Sequence, residues 1–557
     1  MQPVGSRGST PRAWCTESRL RHTLQRESDA DARRLTRPMT SIIKIGRNSW
    51  RWAHADDAGL LVDAADYYHA VYWAINRAQS HVLMSGWQFD SGLPLLRGAD
   101  VPPGADVRFL KFVDCLCRRR PELRIYLLAW DFHLIFAGER EWLQRVIFHW
   151  MTSPNLHFRF ADHPAARGSH HQKFVVVDGG LAFLGGMDVC EARWDDRRHL
   201  ADNPLRLSHG RPHKPYHDVQ AWLAGRETAR ALEDLFSEWW RLAGGPPLEL
   251  RVADRPEVPR RTSLPIGKTT VALSRTAPQP NGTIREVARL FEDAIAAADH
   301  LIYIETQYFS SRRIREALVR RMCASDRPRP EIVIVVNEQA EALKEELAVG
   351  LRQARNLEVL RDTASRTGCS LGCYFSLCDG AHATFRATYI HSKLMIVDDR
   401  FLTIGSANLT NRSMGLDSEL NAAWEHEGED GGLIDTIRNV RVSLLAEHAG
   451  LSEAETADLH AIEGLVTRLD VLAARGGARL QRLGSPTPIQ HAAMRLVDPE
   501  DLPFDPETPS DEAPATFDPN EVHSSNRRLP ILATALGGIG AAVLAGLLAR
   551  YIGRTRR

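Results

Sequence analysis

"SHHQKFVVVDGGLAFLGGMD", from Ser169 to Asp188, and "YIHSKLMIVDDRFLTIGSANLTNRSMGLDSEL", from Tyr389 to Leu420, are two versions of one pattern. Each holds His-x-Lys-x-x-x-x-Asp: His171, Lys173 and Asp178 in the first, His391, Lys393 and Asp398 in the second. Seven residues after each aspartate comes a second matched element, "GGMD" at Gly185–Asp188 and "GSAN" at Gly405–Asn408. One such motif is weak evidence; two copies with identical internal offsets are strong. The pattern also separates two neighbouring histidines. Side chains alternate along a strand, so His171 and Lys173 project together while His170 and Gln172 project the other way. Asp178 and Asp398 lie an odd number of residues from their histidines. In a regular strand they face away from the pocket, which predicts a structural role, pairing with backbone or a cation.

The repeat extends outward from these motifs. "AINRAQSHVLMSGWQFDSG" near residue 80 matches "AIAAADHLIYIETQYFSS" near residue 300, each an alanine-rich helix followed by an apolar strand. "LRIYLLAWD" pairs with "EIVIVVNE", and "NLHFRFAD" with "NLEVLRDT", as further buried strands, with helical patterns such as "EALKEELAVGLRQARN" between them. This alternation predicts an α/β fold of two pseudo-symmetric halves, residues 40–254 and 266–450, each a mixed sheet flanked by helices. The Pro/Arg-rich "RPEVPRRTSLP" at 255–265 reads as their joint, and 451–496 as a helical extension.

Composition narrows the function classes. The chain has 557 residues, a quarter of them charged, enough for two or more sizeable cores. Formal net charge is zero, which argues against nucleic acid as partner. The eight cysteines are scattered, as in a reduced cytosolic protein, and the spacing of Cys369, Cys373 and Cys378 fits no common zinc pattern. Residues 1–38 are rich in Arg and Ser without an apolar run, and read as a disordered basic segment rather than a secretory signal; Met39 is a candidate start. Residues 497–528 are crowded with Pro, Asp and Glu and read as a disordered linker.

That linker leads to an uncharged apolar segment, Leu529 to Ala549, long enough to span a bilayer as one transmembrane helix. A buried core helix is the alternative, but an apolar segment after a disordered linker has nothing to be buried in. Gly538, Ala542 and Gly546 share a helix face that suits self-association. The expected topology is single-pass with the catalytic domain on the cytoplasmic side. Basic residues after the span, Arg550, Arg554, Arg556 and Arg557, pull the other way.

The motif residues suit attack on a phosphodiester. Lys173 and Lys393 supply positive charge to an anionic substrate and to its transition state. Ser406 and Asn408 add neutral donors for phosphate oxygens, and Gly186 stands where Ser406 does in the other copy. Asp188, opposite Asn408, is a carboxylate and cannot donate to phosphate. A neutral imidazole can attack phosphorus while a protonated one on the opposite side releases the alcohol. Trp87, Phe89, Tyr308 and Phe309 suit either a substrate pocket or core packing.

With both motifs in one chain, the sequence resembles the phospholipase D superfamily over most of residues 40–425. "GGMDVCEARWD", "KPYHDVQAWLAG", "YIETQYFSS" and "IGSANLTNRSMGLDSEL" look like its eukaryote-like phospholipid-hydrolysing branch. The resemblance implies a phosphohistidine intermediate, with His171 as nucleophile and His391 as general acid. It also implies Glu419 and Asp218 as the carboxylates that orient the imidazoles. The expected substrate is a glycerophospholipid in the membrane, the acceptor water or a small alcohol, with neither metal nor other cofactor required. Rival readings are a cardiolipin synthase with the same motifs, a nuclease of the same superfamily, and a membrane-anchored scaffold with a decayed site.

Overall fold

The computed structural model describes residues 41–508 apart from 131–147, 149–151, 166–167, 249, 252–257, 280–281, 340–348, 379–386, 427, 429–430, 497 and 502–504. The expected basic segment 1–38, the apolar segment 529–549 and most of the linker 497–528 lie outside the described residues. Among the described residues no helix is long and apolar enough to cross a membrane.

The chain opens with β1 (Arg51–Ala55), β2 (Asp57–Val62), a helix at Asp63–Arg77 and β3 (His81–Gly86). A helix at Phe109–Arg119 leads to β4 (Arg124–Trp130) and β5 (Leu156–Ala161). The first motif forms the hairpin β6 (Phe174–Val177) and β7 (Leu181–Gly185). The short pair β8 (Leu207–Ser208) and β9 (Arg211–Pro212) precedes β10 (Tyr216–His217) and β11 (Val219–Ala224). The helix Arg226–Leu242 and β12 (Leu264–Pro265) follow. The first large sheet has the order β12-β2-β11-β7-β6-β3-β4-β5, with β3, β4 and β5 parallel to one another and the remaining neighbours antiparallel.

The second part starts with β13 (Thr269–Gln279) and β14 (Gly282–Arg285), then the helix Glu286–Ala297 and β15 (Leu301–Thr306). After the helix Arg312–Met322 come β16 (Glu331–Val336), the helix Leu351–Thr367 and β17 (Leu371–Ser376). The second motif supplies β18 (Tyr389–Ile390), β19 (Leu394–Val397), β20 (Phe401–Gly405) and β21 (Glu419–Glu425). The helix Gly432–Ala449 and β22 (Leu480–Arg482) complete the described strands and long helices. This sheet runs β1-β13-β21-β20-β19-β15-β16-β17-β22. From β13 to β17 its order and directions are those of β2 to β5 in the first sheet.

Side-chain alternation builds three cores from these strands. Val176 faces a core shared between the sheets, with Leu184, Ile396, Ile404 and the helix residues Leu232, Phe236 and Leu444. Val175 and Val177 point the other way, against Tyr68, Val71 and Phe112. In the second sheet Met395 and Val397 likewise leave the shared core to pack with Phe291, Leu318 and Leu357. Each such aliphatic burial contributes roughly 1.5–3 kcal/mol, which holds the motif strands rigid between two apolar layers.

Several boundaries differ from the sequence reading. "NLEVLRDT" is not a strand: Asn356–Thr363 lies within the helix Leu351–Thr367. Its buried Leu357, Leu360 and Ala364 follow helical spacing, Gly368 ends the helix in left-handed conformation, and β17 takes the place beside β16. The two parts also exchange edge strands. β1 pairs with β13, while β12, from the expected joint, pairs with β2. The region expected as a helical extension contributes β22 to the second sheet. Part of the expected linker is packed rather than loose: Asp505 is 1% exposed and accepts hydrogen bonds from Ser310 Oγ and the Arg412 amide. Its acidic side chains find buried donors and arginines there, Glu507 pairing with Arg285 and Arg313, which composition does not register.

Candidate active site

Backbone pairing brings the two motifs together. Just before β6, the His171 amide donates to the Ser418 carbonyl, and the Ser418 amide to the Ser169 carbonyl. The other motif does the same in reverse. β18 pairs in parallel with β10, and the His391 amide donates to the His217 carbonyl. Each histidine is thereby laid beside the residue preceding a carboxylate from the other part of the chain. His171 Nδ1 is 3.0 Å from Glu419 Oε2, and His391 Nδ1 is 2.7 Å from Asp218 Oδ2. Both carboxylates are fully buried.

The lysines stand on the same faces. Lys173 Nζ donates to the His171 carbonyl at 2.8 Å and lies 3.4 Å from Asp188 Oδ2. Lys393 Nζ donates to the His391 carbonyl and, at 3.3 Å, to Gln307 Oε1. Asp188 and Gln307 make the two halves of the cluster unequal, since Lys173 has an ionic partner and Lys393 a neutral one. Arg193 adds a further cation, its guanidinium 5.0 Å from the centre of the Tyr216 ring, which in turn lies 5.2 Å from the His391 ring.

Burial and these charges set the proton affinities. His391 is held well below the ordinary imidazole value by burial first, then by Lys393, Arg193, Lys173 and His171. Burial pushes the Asp218 carboxyl up to about 7, against the opposing pull of Lys393. Burial brings the Lys393 ammonium down to about 7, opposed by Asp218. His170 belongs elsewhere. It is buried against Trp239, bonds the Asp162 carbonyl through Nε2, and is lowered to about 3 by burial.

The remaining candidates fall into distinct places. Asp178 and Asp398 stand apart from the imidazoles, in the turns after β6 and β19 with φ 52° each. The Asp178 carboxylate accepts the amides of Gln79, Ser80 and His81 at 2.8–2.9 Å. Asp398 accepts those of Asp299, His300 and Leu301 at 2.7–2.8 Å. Each therefore ties its hairpin to the start of the adjacent strand, β3 or β15, through backbone amides and takes no place beside the imidazoles.

Ser406 also departs from the expected phosphate donor. Its hydroxyl donates to Glu419 Oε2 at 2.5 Å, so it braces the carboxylate that holds His171. Asn408 is 7% exposed and its Oδ1 has no hydrogen-bond partner among the described residues. At Gly186 a Cβ would lie 2.9 Å from both Asp218 carboxylate oxygens and 3.0 Å from Lys393 Cδ, a close approach that excludes other side chains without displacement. Among the aromatics, Phe89 and Phe309 are core residues, while the half-buried Tyr308 places its hydroxyl 3.3 Å from that of Tyr389 beside His391.

Sequence reading passed over Gln307, Arg193 and the lysine-pairing role of Asp188. "RWDD" and "ETQY" contain two of them, but nothing in a single sequence tells which strand-end residues turn toward the motifs.

Residues 291–440 match the family described as "Cardiolipin synthase, PLD-like domain". This stretch is similar to a phospholipase D-like domain. The matched stretch holds His391, Lys393, Ser406, Asn408 and Glu419, the second motif's share of the cluster, and also Asp398, outside that cluster. The chain is 27% identical over 467 residues to phospholipase D A of Dictyostelium discoideum, covering 70% of this chain and 35% of that one. It is 24% identical over 537 residues to phospholipase D alpha 1 of Zea mays, with 71% and 65% covered. Phospholipase D1 of Saccharomyces cerevisiae matches at 24% over 487 residues, with 67% and 28% covered. The chain thus spans less than two thirds of the length of each of these phospholipases D. Among solved structures, phosphatidylserine synthase of Haemophilus influenzae aligns over 76% of this chain and 94% of that one, at 15% identity and a TM-score of 0.48. The phospholipase D-like domain and these relatives support a place in the phospholipase D superfamily.

Proposed function

We propose that this chain is a phosphodiesterase that cleaves glycerophospholipids to phosphatidic acid and free headgroup through a phosphohistidine. The observation that carries the reading is the reciprocal pairing of His171 with Glu419 and His391 with Asp218, with both lysines alongside. Two imidazoles whose Nδ1 atoms are taken up by carboxylates present Nε2 to substrate, the geometry that in-line displacement at phosphorus needs. The similarity to phospholipases D adds support for a phospholipid substrate.

In this mechanism His171 Nε2 attacks phosphorus and forms the N–P bond as the P–O bond to the headgroup breaks. The departing alkoxide takes its proton from His391 Nε2. His391 then accepts a proton from water, whose oxygen attacks phosphorus and releases His171, leaving phosphatidic acid. Lys173, Lys393 and Arg193 neutralise the equatorial oxygens throughout, and Asn408 lends its amide as a donor. The phosphodiester anion among these cations opposes the effect that keeps His391 neutral in the free enzyme, so substrate promotes charging of its own general acid. The reciprocal pairing supports reading the junction as an approximate twofold between the two halves. The apolar segment 529–549 would hold the site at a membrane surface.

A small alcohol attacking the same intermediate gives transphosphatidylation. The matched domain's description as cardiolipin synthase favours this as the second reading. Mass spectrometry of products from mixed phospholipid vesicles containing a trace of glycerol separates the two. Phosphatidic acid alone is the expected hydrolase result, and phosphatidylglycerol marks transfer. Absence of any lipid product, or equal headgroup release by the His171→Ala chain, overturns the proposal.

A further inference from the structure

Behind the imidazoles lies a second, fully buried cluster that the proposed chemistry does not use. Asp63, His199, His217 and Glu447 each offer one possible ligand atom, all within 4.8 Å of one another. His199 Nε2 is 3.0 Å from Glu447 Oε1 and 3.5 Å from Asp63 Oδ2. His217 Nδ1 is 2.7 Å from the same Glu447 oxygen and 3.2 Å from Asp63 Oδ1. The four residues are drawn from distant segments: the start of the first helix, the loop before β8, β10 and the helix Gly432–Ala449.

Two features distinguish this from an ordinary buried ion pair. First, each histidine is anchored through its other nitrogen by a separate carboxylate. His199 Nδ1 is 2.9 Å from Asp195 Oδ2, and His217 Nε2 is 3.0 Å from Glu305 Oε2. Those carboxylates are themselves held, Asp195 by Arg206 at 3.0 Å and Glu305 by Ser392 Oγ at 2.5 Å and by the Tyr303 hydroxyl. This carboxylate–imidazole–centre arrangement is how metal-ligating histidines are usually oriented. Second, Asp63 is 0% exposed, yet its Oδ2, aimed into the cluster, has no hydrogen-bond partner among the described residues. A buried carboxylate oxygen without a donor is costly, and a cation among the four ligand atoms satisfies it. The four imidazole–carboxylate spacings, 2.7–3.5 Å, lie around the roughly 3.3 Å edge of a tetrahedron with metal–ligand bonds near 2.0–2.1 Å, and the remaining edges are within 4.8 Å.

We propose that Asp63, His199, His217 and Glu447 form a structural binding site for one divalent transition cation of the zinc class. Two imidazole nitrogens and two carboxylate oxygens, with no sulfur, suit such an ion. The site is too deeply buried to meet substrate. It connects to the active site through backbone: Asp63 Oδ1 accepts the Asp218 amide at 3.2 Å, and the His217 carbonyl accepts the His391 amide at 2.8 Å. The cation therefore fixes the Asp218–His391 pair without touching the reacting atoms. The competing arrangement is proton-only, with both imidazoles charged against the carboxylates.

The test uses the whole purified chain from cells grown with zinc supplementation. Elemental analysis after dialysis against a chelator is expected to return about one equivalent of metal per chain. Anomalous diffraction at the zinc edge is expected to place a single peak between Asp63 Oδ2, His199 Nε2, His217 Nδ1 and Glu447 Oε1. A peak elsewhere, or no peak with less than about a tenth of an equivalent bound, overturns the proposal in favour of the proton-only cluster.

Discussion

The carboxylate of Asp218 sits 2.7 Å from Nδ1 of His391, a residue 173 positions further along the chain, and Glu419 stands in the same relation to His171 from the opposite side. Each imidazole is thus oriented by the other half of the molecule. Neither half supplies both members of either of these two pairs.

Asp218→Asn and Glu419→Gln keep volume but remove the charged acceptor, so the imidazole loses its preferred tautomer. Each change is expected to lower kcat by on the order of 10²–10⁴, by analogy with loss of the triad aspartate in serine proteases. Headgroup release from liposomes measures this, with circular dichroism confirming the fold. A loss below about threefold in both variants would show that these carboxylates do not orient the imidazoles.

The two histidines are expected to separate when the leaving group is changed. With an activated p-nitrophenyl phosphodiester, departure needs little protonation. His391→Ala should then retain a rapid burst of nitrophenol and accumulate phosphoenzyme, while His171→Ala should give neither. Burst kinetics with radiolabelled substrate decide it; label retained by the His171→Ala chain would exchange the assigned roles.

Asp178→Ala removes the acceptor for three backbone amides at the start of β3. Leaving buried donors unsatisfied costs about 1–3 kcal/mol each where water cannot enter, so stability should fall by about 2–4 kcal/mol. Activity per folded molecule at low temperature should remain within about threefold. Denaturant melts paired with active-site titration measure the two effects separately, and a kcat loss without a stability loss would contradict the anchoring role.

Gly186→Ala places a methyl carbon 2.9 Å from both oxygens of Asp218. Because Asp218 is buried and engaged with His391, the carboxylate must shift. A displacement of a few tenths of an ångström to an ångström at a catalytic pair costs on the order of 10–10² in rate. The same substitution at Gly210, where nothing lies within 4 Å, is the control for glycine replacement as such, although its φ of 74° adds local strain.

Lys393 faces Asp218, Lys173, Glu419 and Arg193, and burial brings its ammonium down to about 7. A lysine is charged below its pKa, so the positive charge is present under mildly acidic conditions and is lost as pH rises through about 7. KM should accordingly rise between pH 7 and 9, the bound phosphate delaying the loss. Lys393→Arg, charged throughout that range, should flatten the KM profile whatever it does to kcat. Unchanged slopes in the two proteins would remove Lys393 from phosphate binding.

Much of this site could be read from the linear chain, for a definite reason. His171 with Lys173 and His391 with Lys393 sit at strand ends, where a period of two places alternate residues on one face. Asp178 and Asp398 fall out of phase with them, and the structure puts both carboxylates on backbone amides outside the imidazole cluster. Misreadings arose where periods are ambiguous. "NLEVLRDT" is short and apolar enough for a strand, and only its continuation to Ala364 and Gly368 settles the helix. The Ser406 hydroxyl reads as a phosphate donor from its residue type; that it donates to Glu419 depends on β20 and β21 being neighbours.

The sequence by itself determined the duplicated motifs, the faces on which histidine and lysine stand, and the α/β alternation, because these depend on local periodicity and offsets of a few residues. The tertiary structure gave the distances of the two carboxylates that the resemblance implied, Glu419 to His171 and Asp218 to His391, and alone decided the pairing of Asp188 with Lys173 and the meeting of Asp63, His199, His217 and Glu447. Those contacts join segments separated by up to hundreds of positions, and they exist because parallel pairing of β10 with β18 and of His170 with Ser418 threads each motif beside the other half's carboxylate. No local rule of chain conformation encodes a pairing between distant strand ends; the packing of two sheets on one shared core does.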